Sequence, residues 1–335
     1  MESFLGNQIG INLFFQSFGT WLAEPMRAVT FLGSEKFFIL FVPVLLWCFD
    51  YPLGLRIGLL LTTSAQVNGL FKVLMLSPRP FWIDNRVKAY YVETSFGLPS
   101  GHAMNTSSLF GMFAAGMRKK WITITSLILI LLVGISRLYL GMHFLSDVIG
   151  GWILGGILLL LFIKLDKPIS RWFVGKTVGM QYLLIALSTI LWILIALIPL
   201  LLLRGFELPA EWITNAILAN PLTEPHPFEI SGIFTYAGIW LGLGFGAIWL
   251  RQRGGIDTRG EGPQQLFRFL IGIAVCLALW MGLDLIFPSG DGTLALALRL
   301  LRYGLVGFWV SGGAPAIFRK LKIAQPAPIA EKSAS

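Results

Sequence analysis

Residues 143–163 read HFLSDVIGGWILGGILLLLFI: a histidine and a carboxylate at the head, then an unbroken apolar run. About 20 apolar residues are enough to carry a helix across a bilayer. In lipid a single segment must satisfy its own backbone polar groups, so it can only be a helix. His143 and Asp147 are four residues apart, which puts them on one face of that helix at its entry. Gly151 and Gly155 form a small-xxx-small face further in, suited to close packing against another helix of the same chain. A titratable pair at the end of a membrane helix is both a fold signal and a candidate site for chemistry.

Comparable apolar runs lie near residues 36–49, 53–76, 102–117, 121–140, 181–203, 231–250, 269–287 and 303–318. The expected fold is therefore all-α, a polytopic transmembrane helical bundle of about nine spans. Pro43 is expected to kink the first run without ending it. Composition agrees: of 335 residues, 56% are hydrophobic and 13% charged, against about 25% charged in a soluble domain. The net charge of +9 reads as basic loops flanking membrane spans rather than a nucleic-acid surface. Cys48 and Cys276 sit inside apolar runs without ligand or disulfide spacing. Residues 11–33 are apolar but broken by Glu24, Pro25 and Arg27, and read as an interfacial helix. The layout expected along the chain is an interfacial segment (1–35), a catalytic transmembrane core (36–165), a C-terminal transmembrane region (166–322) and a disordered tail (323–335).

The chemistry-bearing residues form an ordered set: Lys72, Arg79-Pro80, then Pro99-Ser100-Gly101-His102, then Ser136-Arg137, His143 and Asp147. Phosphoryl transfer is catalysed mostly by positioning and by stabilising charge on the phosphoryl oxygens. Arg79 and Arg137 offer planar forks for paired oxygens, and Lys72 a compact point charge. Ser100, Gly101 and His102 open an apolar run, so their backbone N–H groups sit at a helix N-terminus, an anion site in itself. Gly101 permits close backbone approach. A carboxylate beside an imidazole, as Asp147 is beside His143, fixes the ring tautomer and stabilises its charged form.

The three blocks, KxxxxxxRP, PSGH and SRxxxxxHxxxD, are complete, in order and correctly spaced, and they resemble the signature of the type 2 phosphatidic acid phosphatase (PAP2) superfamily. That superfamily also includes bacterial acid phosphatases, vanadium haloperoxidases and glucose-6-phosphatase-like enzymes. The resemblance covers residues 72–147 directly. It implies that His143 is the nucleophile and forms a phosphohistidine. It further implies that Asp147 orients His143, that His102 protonates the leaving oxygen, and that Lys72, Arg79, Ser100, Gly101 and Arg137 hold the phosphate. No metal and no cofactor are implied, since the carboxylates are too few for a two-metal clamp.

Under an alternating nine-span arrangement, one side collects 16 of the 26 Lys and Arg residues. The positive-inside rule puts that side in the cytoplasm, so the 77–101 loop and the 137–143 turn face outward. Sparse cysteines and the lack of a targeting signal point to a bacterial plasma membrane. The expected partners are a lipid phosphate or diphosphate and membrane lipids, without nucleic acid; the sequence says nothing of oligomeric state. Alternatives are a phosphatase of a soluble phosphomonoester and a transporter or scaffold that retains the motif. Asp84, Glu93, Arg86 and Lys88 read as solvated loop charges, and His226 as a surface residue. Phe81 and Trp82 read as interfacial aromatics, either a wall for a lipid chain or part of an aromatic belt.

Overall fold

The computed structural model describes residues 2–203 and 205–328. Among them the structure is helical, apart from turns and one isolated bridge between Asp257 and Gln325. Helix α1 spans Glu2–Gln16, α2 Ala23–Phe31, α3 Glu35–Val44, α4 Tyr51–Met75, α5 Pro80–Ile83, α6 Gly101–Met117, α7 Lys120–Tyr139 and α8 Leu145–Val174. Helix α9 spans Val178–Leu202, α10 Ala210–Ala219, α11 Ser231–Gln252, α12 Gly262–Leu277, α13 Leu283–Ile286, α14 Thr293–Phe308 and α15 Ala314–Lys320.

Among the described residues, seven helical stretches are long and apolar enough to cross a membrane, with an eighth if the α2–α3 pair, bent by 44°, is one broken span. The protein is an integral membrane protein. The remaining expected span, α6, has 17 residues, about 26 Å of helix and short of the ~30 Å hydrocarbon core. Pro43 is accommodated inside α3, and the helix then widens into a π-turn over Leu45–Phe49.

The chain divides into two compact units, and neither is one consecutive stretch. The first comprises Met1–Phe38, Thr63–Leu165 and Leu194–Ile230; the second comprises Ile39–Thr62, Asp166–Ile193 and Ser231–Ser335. Helices thus group by packing rather than by order along the chain. In the first unit α8 lies on α6 through Gly151 and Gly155. A Cβ on Gly151 would come within 2.6 Å of the Ser100 carbonyl oxygen, and one on Gly155 within 2.5 Å of the Met104 carbonyl oxygen. In the second unit Gly238, Gly242 and Gly246 form the corresponding seam of α11, against the backbone around Leu300, Gly304 and Phe308. Arg302, buried in α14, pairs with Asp284 of α13. Arg268 of α12 is fully buried and donates to the carbonyl oxygens of Ile323, Trp47, Thr258 and Arg259.

The amino terminus departs from the expected single interfacial helix. Helix α1 begins at Glu2 and ends before a turn at Ser17–Gly19, where Gly19 takes a positive φ of 97°. Gln8, Asn12 and Gln16 face protein: Asn12 is fully buried and donates from Nδ2 to the carbonyl oxygens of Leu138 (2.9 Å) and His143 (3.0 Å). The tail also starts later than expected. The Asp257 N–H donates to the Gln325 carbonyl (2.8 Å) and the Ala327 N–H to that of Gly254 (2.9 Å), which satisfies the backbone there. Residues 329–335 of the expected disordered tail lie outside the described residues.

Phe81 and Trp82 are fully buried, not interfacial. Helix α10, absent from the expected runs, covers α5. Asn215 donates to the Trp82 carbonyl at 3.1 Å, and the Trp212 and Trp82 rings are 6.0 Å apart. With Phe96, Tyr139 and Phe144 they form an aromatic core beside the site.

Candidate active site

Each catalytic candidate sits where a helix begins or ends. Lys72 is in the last turn of α4 and Arg137 in the last turn of α7. Arg79 is the extended residue before Pro80, which starts α5. Ser100 caps α6 and His102 lies in its first turn. His143 occupies the short turn between α7 and α8, and Asp147 the first turn of α8. That turn reverses at Gly141, with φ at 76°. A side chain there would suffer both the left-handed backbone and the Lys88 carbonyl behind it.

Arg79 is fully buried. It donates from Nε to the Ser95 carbonyl (2.6 Å), from Nη1 to the Met142 carbonyl (2.8 Å), and from Nη2 to Ser95 Oγ (3.1 Å) and the Phe96 carbonyl (3.2 Å). Lys72 Nζ donates to the same Ser95 Oγ and Phe96 carbonyl oxygen, both at 2.8 Å. Arg137, also fully buried, donates from Nη1 to Thr30 Oγ1 at 3.1 Å and lies over the Tyr91 ring, 5.1 Å from its centroid. The three cations thus come from three helix ends and are held by backbone carbonyls and hydroxyls, a preorganised arrangement for a polyoxyanion.

His143 and Asp147 are both buried, with Nδ1 3.3 Å from Asp147 Oδ2. The Phe144 N–H also donates to Oδ2, at 2.9 Å, which fixes the carboxylate. With Nδ1–H donating to Asp147, the lone pair falls on Nε2, which lies 3.3 Å from Arg79 Nη1. The expected nucleophilic atom therefore points at the Arg79 guanidinium. His102 stands edge-on to Tyr91, and its Nε2 has no partner among the described residues. Ser100 turns inward: its hydroxyl accepts from the Ala103 N–H (3.5 Å), and its own N–H donates to the Asp147 carbonyl (2.9 Å). Gly101 backs onto Asn68, whose Oδ1 would lie 3.0 Å from an added Cβ.

The sequence reading missed Glu93. Expected as a solvated loop charge, it sits among the cations, accepting from Arg137 Nη2 at 2.8 Å and from Arg79 Nη2 at 3.4 Å. His102 Nδ1 is 4.0 Å from the same carboxylate. Burial alone would raise the Glu93 carboxyl, but the Arg79 and Arg137 guanidinia beside it bring it down to about 2. The one available signal was that Glu93 is the only acid between Arg86 and His102, in a loop joining two of the motif blocks. Ser95 and Asn12, which position the cations and the His143 turn, carry no motif at all. Asp84, expected as a solvated loop charge, is half-buried and paired with the exposed Arg86. His226 is exposed, although its backbone N–H donates to the Thr94 carbonyl at 2.9 Å and braces the strip beside Glu93. Among the described residues no three His, Cys, Asp or Glu side chains converge as a metal set would.

Comparison with known proteins places this geometry. The PAP2 superfamily profile matches residues 53–171, and that of the PAP2 superfamily phosphatase transmembrane extension matches residues 234–326. The chain is 34% identical over 168 residues to phosphatidylglycerophosphatase B of Bacillus subtilis (strain 168), covering 45% of this chain and 78% of that one. It is 28% identical over 314 residues to glucose-6-phosphatase 3 of Bos taurus, covering 84% and 85%. It is 32% identical over 148 residues to sphingosine-1-phosphate phosphatase 1 of Mus musculus, covering 42% and 34%.

Proposed function

Because the chain belongs to the PAP2 superfamily, we propose that it is a metal-independent integral-membrane phosphatase that cleaves a lipid phosphate monoester or diphosphate at the extracytoplasmic membrane face. The observation that carries this is the His143–Asp147 pair with Nε2 turned toward Arg79. In the proposed reaction the Nε2 lone pair attacks phosphorus. The N–P bond forms as the bond to the leaving oxygen breaks, and His102 gives that oxygen a proton. Asp147 stabilises the developing positive charge through Nδ1–H. Lys72, Arg79 and Arg137 take the charge on the phosphoryl oxygens. Water then attacks the phosphohistidine, His102 takes its proton, the P–N bond breaks and phosphate leaves. The positive-inside charge count over nine alternating spans supports the outward face, with a bacterial plasma membrane as the proposed setting.

Likeness to the phosphatidylglycerophosphatase and to the sphingosine-1-phosphate phosphatase supports a lipid substrate. A soluble phosphomonoester is the second reading, favoured by the likeness to glucose-6-phosphatase 3 along most of both chains. Phosphate release by the purified protein from phosphatidic acid, phosphatidylglycerol phosphate, undecaprenyl diphosphate, a sphingoid phosphate and glucose 6-phosphate decides between them. His143→Ala should abolish release while the protein stays folded in the membrane, and wild-type turnover in that variant refutes the mechanism. Vanadate should inhibit competitively. Complete loss of activity in EDTA, restored by a divalent cation, would overturn metal independence.

A further inference from the structure

The second unit carries a charged cavity that the proposed chemistry does not use. Helix α11 ends at Gln252 and the chain turns through Gly254 and Gly255. The last helix ends at Lys320, the chain reverses at Lys322 (φ 59°), and residues 325–327 return alongside 254–257 through the Gln325–Asp257 and Ala327–Gly254 backbone hydrogen bonds. Between these strips lies a cavity of about 490 Å³ whose lining, among the described residues, includes Arg253, Arg319, Lys320 and Lys322 and no carboxylate. The nearby Asp257 carboxylate is engaged by Arg259 at 2.6 Å.

Two of the four cations are held in place. The Arg253 guanidinium lies over the Trp249 ring, 4.0 Å from its centroid. Arg319 Nη1 donates to the carbonyl oxygens of Arg253 and Gly255, while its Nε is buried without a partner among the described residues. Four cations close together repel one another, and an anion between them relieves that repulsion. The cavity sits at the ends of two candidate membrane spans, Ser231–Gln252 and Thr293–Lys320, beside the exposed apolar side chains of Ile317 and Leu321. Cations at a span end next to exposed aliphatic surface match an amphiphile with an anionic head and apolar tails.

The geometry points to a binding site for an anionic phospholipid headgroup carrying at least two negative charges, formed by Arg253, Arg319, Lys320 and Lys322 of the C-terminal extension. It takes a resident membrane lipid and is separate from the phosphate-cleaving residues. Arg253, Lys320 and Lys322 are exposed at the rim, so they can be neutralised without opening a buried network.

The test uses the full chain in neutral detergent micelles and counts bound lipid by native mass spectrometry, with short-chain cardiolipin as the probe. Each basic residue near a charged lipid surface contributes about 1 kcal/mol, so Arg253→Gln/Lys320→Gln/Lys322→Gln should weaken cardiolipin binding about 100-fold. A control neutralising Lys164, Lys167 and Arg171 of α8 should leave binding within about threefold of wild type. Both triple variants should keep the wild-type thermal midpoint without lipid. The assignment is overturned if the first variant binds cardiolipin as wild type does, or if both variants lose it equally. It is also overturned if phosphatidylcholine of the same chain length binds as well, or if inorganic phosphate displaces the lipid at comparable concentration. Because the readout is binding, it does not depend on which substrate is cleaved.

Discussion

Glu93 makes a quantitative demand on the site. Its carboxylate takes N–H groups of Arg137 (2.8 Å) and Arg79 (3.4 Å), donors that a phosphate would use. An oxyanion bound by the same two guanidinia would lie about 5 Å from the Glu93 carboxylate, and at an effective dielectric of about 20 two unit negative charges there repel by about 3 kcal/mol. That corresponds to about 100-fold in affinity. Glu93 is 21% exposed, so solvent screening and a swing of the side chain should reduce the effect to about tenfold or more. Glu93→Gln keeps the shape and removes the charge. Orthovanadate should then inhibit at concentrations at least about tenfold lower, and KM should fall without a rise in kcat, since product phosphate is also held more tightly. Glu93→Asp should stay near wild type. The assays are competitive inhibition of phosphate release and, independently of turnover, the vanadate-induced shift in thermal midpoint. Unchanged or weaker vanadate binding in a folded Glu93→Gln protein refutes the view that this carboxylate opposes anion binding.

Other consequences concern the frame of the site. Glu93 ionises at about 2 in the folded protein and at about 4.3 unfolded, so its carboxylate contributes up to about 3 kcal/mol, complete above pH ~4.3 and lost as pH falls through about 2. Acid titration of the thermal midpoint should show that loss in wild type and a flatter profile in Glu93→Gln. Asn12→Ala leaves two buried carbonyls, those of Leu138 and His143, without their side-chain donor. It should cost about 2–4 kcal/mol and lower kcat by displacing the His143 turn, and equal kcat in a stably folded variant would separate α1 from catalysis. Gly155→Leu should prevent α8 from seating on the Met104 backbone and abolish accumulation of folded protein. Normal yield and activity of that variant would argue against this seam.

Legibility in the sequence followed periodicity and spacing. Long apolar runs announce themselves because a lone segment in lipid can satisfy its own backbone only as a helix, so the spans around α4, α7, α8, α9, α11 and α12 are visible at once. Lys72, Arg79, His102, Arg137, His143 and Asp147 were legible because three short blocks hold them at fixed separations. Glu93 was not, since a single acid in a loop carries no period, and only folding sets it between arginines 14 residues before it and 44 after it. Phe81 and Trp82 were misread for a related reason. An aromatic pair beside a span end looks interfacial until α10, over 120 positions later, is known to cover it.

The sequence alone determined that this is a helical membrane protein carrying the ordered set of cations, imidazoles and a carboxylate that marks the superfamily, because composition and local spacing suffice for both. The tertiary structure decided what surrounds that set: the carboxylate among the arginines, the amino-terminal helix that holds the His143 turn, and the helix α10 that buries Phe81 and Trp82. Those features depend on contacts between residues distant in the chain, which no local pattern encodes.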